Sequence, residues 1–262
     1  MINAPDISLY SHACPVDHAG TVLQISGWKC DNALQLPVVC LHDLGETSAL
    51  YRGALELLAT NGGSAYGFDM RRSGAIGVKS MRVLQRDLLQ VIALVKHHEA
   101  GEAPVLLANG LSAVIAIRLA LTYPKLVSGL ILVDPPHPEA TAVSRLRLGA
   151  TRFLAEILPD VKLPSRLLSA KRIIRAQNAG SMAPVAAHEL VEAVAEIPGQ
   201  LAKLPVRCRI LVSSAVSEEL WLKDVMSLSG AGTSCEVVLV SAGAGVFSGS
   251  LPVHIMCEWL RK

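Results

Sequence analysis

The chain has 262 residues, 51% of them apolar and 18% charged. That suits one large α/β domain, with or without an inserted subdomain, and excludes global disorder. A formal net charge of +2 is too small to imply nucleic-acid binding. Residues 1–6 show no basic segment followed by an apolar stretch, and no apolar run approaches the roughly 20 residues of a membrane span. A cytoplasmic protein without a signal peptide or membrane span is therefore expected. The six cysteines form no CxxC pair. Buried free thiols in a reducing compartment are expected, with a disulfide framework or a metal site as the alternatives.

In chain order, residues 21–28 read as an exposed strand. The run Leu36-Pro-Val-Val-Cys-Leu-His42 is short, apolar and ends in polar residues, the mark of a buried parallel strand. Ser48 is expected to cap a helix through about residue 60, which Asn61-Gly-Gly63 stops. Residues 64–69 form the next strand. Leu84, Leu88, Val91 and Val95 recur on one face of a helix over 81–98, ended by Gly101. A strand over 104–108, a helix over 111–121 and a strand over 127–133 follow. Helices are then expected at 139–158, 165–178 and 184–196. Alternation resumes with a strand at 206–213, a helix near 218–228, a strand at 235–241 and a helix from about 251. Strand–helix alternation implies right-handed crossovers and a mostly parallel sheet flanked by helices. The helical run in the middle reads as an inserted lid over 137–199, with 1–136 and 200–262 forming the core.

Three stretches resemble the α/β-hydrolases, closest to the monoglyceride-lipase and lysophospholipase-like branch. They are Leu41-His-Asp-Leu-Gly-Glu-Thr-Ser48, Tyr66-Gly-Phe-Asp-Met-Arg71, and the segment 105–136. The resemblance runs from about Leu36 to Trp259. In the family the first stretch usually reads His-Gly-x-Gly and helps form the oxyanion hole. The second usually continues Arg-Gly-x-Gly-x-Ser; here it is Arg71-Arg-Ser-Gly-Ala-Ile76, and Asp69 and Arg71 match loop anchors. The third should carry the nucleophile elbow Gly-x-Ser-x-Gly. This chain has Ala108-Asn-Gly-Leu-Ser112, which puts Gly110 at the nucleophile position. Glycine has no side chain with which to attack, yet adopts the strained elbow backbone at little cost.

The other positions implied by the resemblance agree. The acid position falls at about Ser217, with Glu218 and Glu219 as alternatives one or two residues on. The histidine position falls in Gly243-Ala-Gly-Val246-Phe247, at Val246, which can neither accept nor donate a proton. A shifted site would need Ser112, on the first turn of the following helix, together with His254 in the last helix.

Ligands bind open α/β sheets at the carboxyl ends of the strands. The remnant pocket is expected to include His42, Asp43, Leu44, Asn109, Gly110, Leu111, His137 and Val246. The amides of Leu44 and Leu111 match the family's oxyanion donors. His42 is read first as a residue that hydrogen-bonds loop backbone. Asp43 replaces a family glycine, and a carboxylate there would repel a developing oxyanion. Asn109 is read as a turn residue. His137, Asp43 and His42 are the remaining acid–base candidates. The insertion carries Arg145, Arg147, Arg152, Lys162, Arg166, Lys171, Arg172 and Arg175 against Glu156 and Asp160. This is either a solvated helix face or a docking surface for an acidic partner such as an acyl-carrier protein. No metal and no organic cofactor is implied.

Two readings of different class follow. The first is a pseudo-hydrolase that binds a small ligand or an acidic partner. The second is a non-hydrolytic lyase, cyclase or dehydratase, in a biosynthetic pathway, that uses His137, Asp43 or His42. A hydrolase with a shifted Ser112-based site comes third.

Overall fold

A computed structural model describes residues 7–17, 19–31, 33–44, 46–71, 80–136, 153, 163–164, 181–182, 184–213, 235–240 and 250–261. Eight strands form one sheet: β1 (Ile7–Pro15), β2 (Val22–Cys30), β3 (Val38–Leu41), β4 (Ala65–Phe68), β5 (Val105–Asn109), β6 (Gly129–Val133), β9 (Arg207–Ser213) and β10 (Cys235–Val240). Their spatial order is β1-β2-β4-β3-β5-β6-β9-β10. β1 and β2 pair antiparallel, as do β2 and β4, and every pairing from β4 to β10 is parallel. Two residues each, β7 (Leu163–Pro164) and β8 (Ser181–Met182), form a separate antiparallel pair.

The all-buried composition of β3, β4 and β6 follows from helices on both faces, which leave no side of a central strand wet. Alternate side chains go to opposite layers. Leu106, Ala108, Leu130 and Leu132 face α2 (Met81–His98), α3 (Ser112–Thr122) and α4 (Pro184–Leu201). Val105, Leu107, Ile131 and Val133 face α1 (Arg52–Thr60) and α5 (Ser250–Leu260). Helix α2 matches its predicted bounds. Ser80 caps it by accepting from the Arg82 amide, and Gly101, at φ 93°, closes it by donating to the Lys96 carbonyl. Glu189 of α4 also reaches that N-terminus, accepting from the Met81 amide at 2.7 Å.

Several expectations need correction. Strand β1 carried no clear sequence signal, because most of its side chains are exposed or half-buried on both faces and alternation is lost. Ser48 does not cap a helix with its side chain: residues 48–51 form a 3-10 turn, and the Ser48 amide donates to Asp69 Oδ1 at 2.6 Å. The helix expected at 184–196 runs on to Leu201, and its Ala186, Ala187, Leu190 and Val194 pack into the layer of α2 and α3. The helices expected at 139–158 (apart from Phe153), 165–178 and 218–228 lie outside the described residues.

All six cysteines are buried. Among the described residues no helix is long and apolar enough to cross a membrane.

Arg71 ties the sheet's antiparallel end to α2. Its Nε and Nη2 make a two-pronged pair with Asp87, at 2.9 and 2.8 Å, and its Nη1 meets Asp17 at 2.7 Å. Asp87 is 2% exposed, so removing the guanidinium leaves a buried charge uncompensated. Arg71→Met is expected to lower stability by roughly 3 kcal/mol, read as a shift of the urea unfolding midpoint at an unchanged slope.

Candidate functional site

The strand order places the site before any side chain is considered. From β3 the chain moves outward to β4 and then returns to the other flank of β3 as β5. The loops leaving the carboxyl ends of β3 and β5 therefore diverge from adjacent strands, at the crevice where parallel sheets bind ligands. The register pairs Leu41 with Ala108. So His42-Asp43-Leu44 and Asn109-Gly110-Leu111 face one another across that crevice.

Gly110 occupies the bend between β5 and α3 with φ 55°. Its amide donates to the Val133 carbonyl at 2.9 Å, and its carbonyl accepts from the Ala113 amide at 3.2 Å. The left-handed backbone disfavours any side chain there, and the space is already taken. A Cβ built on Gly110 would lie 2.4 Å from Asp43 Oδ2, 2.5 Å from Cγ and 2.7 Å from Oδ1.

The Asp43 carboxylate sits there because two amides converge on it. Asp43 Oδ1 accepts from the Leu44 amide and from the Leu111 amide, each at 2.8 Å. These are the two amides that the resemblance assigns to the oxyanion hole. The sequence reading put Asp43 beside that hole; its oxygen lies on both donors. Burial pushes its pKa up to about 7; the Leu111 amide bond opposes this, the nearby Glu46 carboxylate adds to it, and the Leu44 amide opposes it. Burial prevails over the two amide bonds, so the site holds this carboxyl where it titrates near neutrality.

His42 is 3% exposed and has both ring nitrogens engaged with backbone. Nε2 accepts from the Met70 amide at 2.9 Å, which leaves the proton on Nδ1, 2.8 Å from the Asp43 carbonyl that accepts it. This neutral tautomer fastens the loop after β3 to the end of β4, the role read for it from the sequence, and leaves neither nitrogen for acid–base work.

Glu46 and Tyr51 belong to the site and were missed by sequence reasoning. Glu46 Oε2 accepts from the Asp43 amide at 3.1 Å and from the Tyr51 hydroxyl. The Tyr51 hydroxyl in turn accepts from Asn109 Nδ2 at 2.7 Å. Asn109, expected as a turn residue, thereby bridges the elbow to the loop after β3. The Glu46 amide also donates to the Asp43 carbonyl at 3.0 Å, so residues 43 and 46 are joined by one side-chain bond and one backbone bond, half of a capping box. That three-residue spacing was the one signal available. Burial raises the Tyr51 hydroxyl, and its bond to Glu46 adds to this. Tyr51 stays a neutral donor.

Ser112 is fully buried, and its hydroxyl faces the Asn109 carbonyl at 2.8 Å and the Leu41 carbonyl at 3.1 Å. His254 is exposed on α5, while Ser112 begins α3, whose core residues pack on the other face of the sheet. The structure does not bring the two together. Asp69 and Arg71 are both anchors, of separate segments: Asp69 holds Ser48, and Arg71 holds Asp87 and Asp17. Ser217, Glu218, Glu219, Val246 and His137 lie outside the described residues, as do Arg145, Arg147, Arg152, Lys162, Arg166, Lys171, Arg172 and Arg175. Among the described residues no group of three or more His, Cys, Asp or Glu is arranged to hold a metal ion.

Residue 110 and residue 43 thus compete for one volume. Gly110→Ser alone is expected to cost roughly 1–3 kcal/mol through overpacking and backbone strain. Adding Asp43→Gly removes the clash. A double-mutant cycle should give a coupling of about 1 kcal/mol, with the double variant more stable than the sum of the single changes. Strict additivity would contradict the shared volume.

The comparisons with known proteins agree with this architecture. The profile described as serine aminopeptidase, S33 matches residues 34–215. A monoglyceride lipase homolog of Monkeypox virus is 27% identical over 141 residues, 52% of this chain. The match spans about half the length of that relative, 51%. Among solved structures, the monoacylglycerol lipase of Paleococcus ferrophilus superposes with a TM-score of 0.66 at 19% identity, covering 97% of this chain and 98% of that one. A soluble variant of monoglyceride lipase from Saccharomyces cerevisiae, in complex with a substrate analog, gives 0.70 at 14% identity, covering 99% and 96%. A thermostable carboxyl esterase from Bacillus coagulans gives 0.74 at 12% identity, covering 97% and 96%. At such identities the superpositions speak for the fold alone. With the family match extending over more than half of the sequence, the chain belongs to the serine aminopeptidase S33 family of α/β-hydrolases.

Proposed function

We propose that this protein is a catalytically degenerate α/β-hydrolase, a binding module that keeps the scaffold and has given up acyl transfer. The observation that carries this reading is the Asp43 carboxylate on the Leu44 and Leu111 amides, packed against an elbow whose central residue is Gly110. Acyl transfer needs an attacking atom and empty donors for the charge that develops. Here the elbow supplies no attacking atom and a resident carboxylate holds the donors. The resemblance puts Val246 at the histidine position and the acid position at about Ser217, with Glu218 and Glu219 as alternatives, and the valine favours the same conclusion.

The ligand on this reading is a small molecule in the remnant pocket. An acidic protein partner, such as an acyl-carrier protein, would dock at the basic stretch that includes Arg145, Arg147, Arg152, Arg166, Lys171, Arg172 and Arg175. The inserted segment after β6 would form a lid over the crevice, and the cytoplasm is the compartment proposed.

One observation favours the second reading, a lyase, cyclase or dehydratase. Asp43 titrates near 7, where a carboxyl can take or give a proton at working pH. Against it, the amides that would steady an enolate are already bonded to that same carboxyl. His42 spends both nitrogens on the backbone, which leaves Asp43 and His137 as its acid–base groups. A shifted Ser112 site has less support, since that hydroxyl is turned to backbone carbonyls.

The purified protein is expected to show no turnover of monoacylglycerols, aryl esters or thioesters between acid and alkaline pH, and no labelling by a fluorophosphonate. Turnover or labelling that disappears in Ser112→Ala would overturn the proposal.

A further inference from the structure

We infer that Asp43 makes the remnant pocket a proton-coupled carboxylate site, in which the neutral aspartic acid donates from Oδ2 to a bound carboxylate and the ionised form turns that ligand away. This deepens the degenerate reading and rests on it: a working elbow would put a side chain where Oδ2 lies.

The geometry assigns the two carboxyl oxygens different work. Oδ1 receives both amide bonds, and an oxygen that accepts two N–H donors is the poorer place for a proton. The proton therefore resides on Oδ2. That atom lies 2.4 Å from where a Gly110 side chain would begin, at the carboxyl ends of β3 and β5, where the attacking atom of an intact elbow would stand. Oδ2 is thus fixed by the backbone through its sister oxygen, at the place a Gly110 side chain would take. A donor held in this way binds an acceptor without first losing its own freedom.

Among the described residues, the charged and titratable groups around Asp43 supply no cation to offset its ionised form. From its own loop come His42, held neutral by its two backbone bonds, and Glu46, whose carboxylate accepts the Asp43 amide. From the turn before α1 comes Tyr51, a neutral phenol, and from the end of β5 comes Asn109. Cys40 of β3 is a buried thiol held above its ordinary value by that burial. Above neutrality an anion entering the crevice meets Asp43 and Glu46 with no described positive side chain between them. Below it, a carboxylate finds a hydrogen-bond donor, and charge-assisted bonds of this kind are short and strong. The proton comes from solvent, so each carboxylate bound at alkaline pH brings one proton with it.

The test uses octanoate as the probe and octanamide as its neutral control, titrated into the full chain by isothermal calorimetry in two buffers of different ionisation enthalpy. With the carboxyl titrating at about 7, octanoate is expected to bind about tenfold more tightly at pH 6 than at pH 8. Net uptake should approach one proton at pH 8, and octanamide should show no such dependence. Asp43→Asn keeps a carbonyl for the two amides and a donor in place of Oδ2. It should bind octanoate equally at both pH values. Failure of octanoate to bind at pH 6, equal affinity at the two pH values in the parent, or a pH dependence that survives in Asp43→Asn would each overturn the inference. Ester turnover measured in parallel would strike the degenerate reading and leave the calorimetric result standing on its own, so the two failures are distinct.

Discussion

Two backbone N–H groups aimed at one point demand an acceptor. The amides of Leu44 and Leu111 converge because β3 and β5 are hydrogen-bonded neighbours whose loops leave at the same level, a property of the parallel sheet. Leaving both donors unmet in a half-buried crevice would cost on the order of 1–3 kcal/mol each. A working hydrolase leaves that demand to solvent and substrate. This chain meets it internally with Asp43, and the rest of the site follows. The carboxylate needs room, which Gly110 provides by having no side chain. The loop that carries Asp43 needs fixing, which His42 does from β4 and Glu46, Tyr51 and Asn109 do from the turn before α1 and the end of β5.

The site is therefore a reciprocal exchange. Against the pattern that the resemblance implies, the side chain stands on the loop after β3 and the glycine stands at the elbow. Either half alone is poorly accommodated: a serine at 110 overlaps the carboxylate, and a glycine at 43 frees two donors and opens a void. Together they form a packed arrangement in which strained backbone is confined to a residue that tolerates it. The same reasoning explains why the turn persists with a glycine at its centre. That turn still joins β5 to α3 and still buries Ser112, whose single hydroxyl proton lies within reach of a carbonyl on each of the two strands.

Much of the frame was legible in the sequence, because a parallel sheet writes itself as short apolar runs alternating with 3.6-residue periodicity. Leu84, Leu88, Val91 and Val95 marked one face of α2, and Pro104 to Ala108 marked β5. Strand β1 was not legible, since its exposed edge lets both faces be mixed. At the site, the glycine at position 110 and the aspartate at position 43 could be read by register against the family pattern. What the carboxylate touches could not. That depends on a register between two strands more than sixty residues apart in the chain, and on Tyr51, a lone aromatic whose role emerges only when Glu46 and Asn109 meet its hydroxyl. The neutral state of His42 likewise follows from the Met70 amide, which no local pattern announces.

The most direct test of the account is a pH titration by NMR that follows the Asp43 carboxyl carbon together with the amide protons of Leu44 and Leu111. The three signals should move through one shared transition near pH 7. A carboxyl that titrates near the ordinary aspartate value while both amides stay unmoved would contradict it, and would return those donors to the open state of a functioning hydrolase.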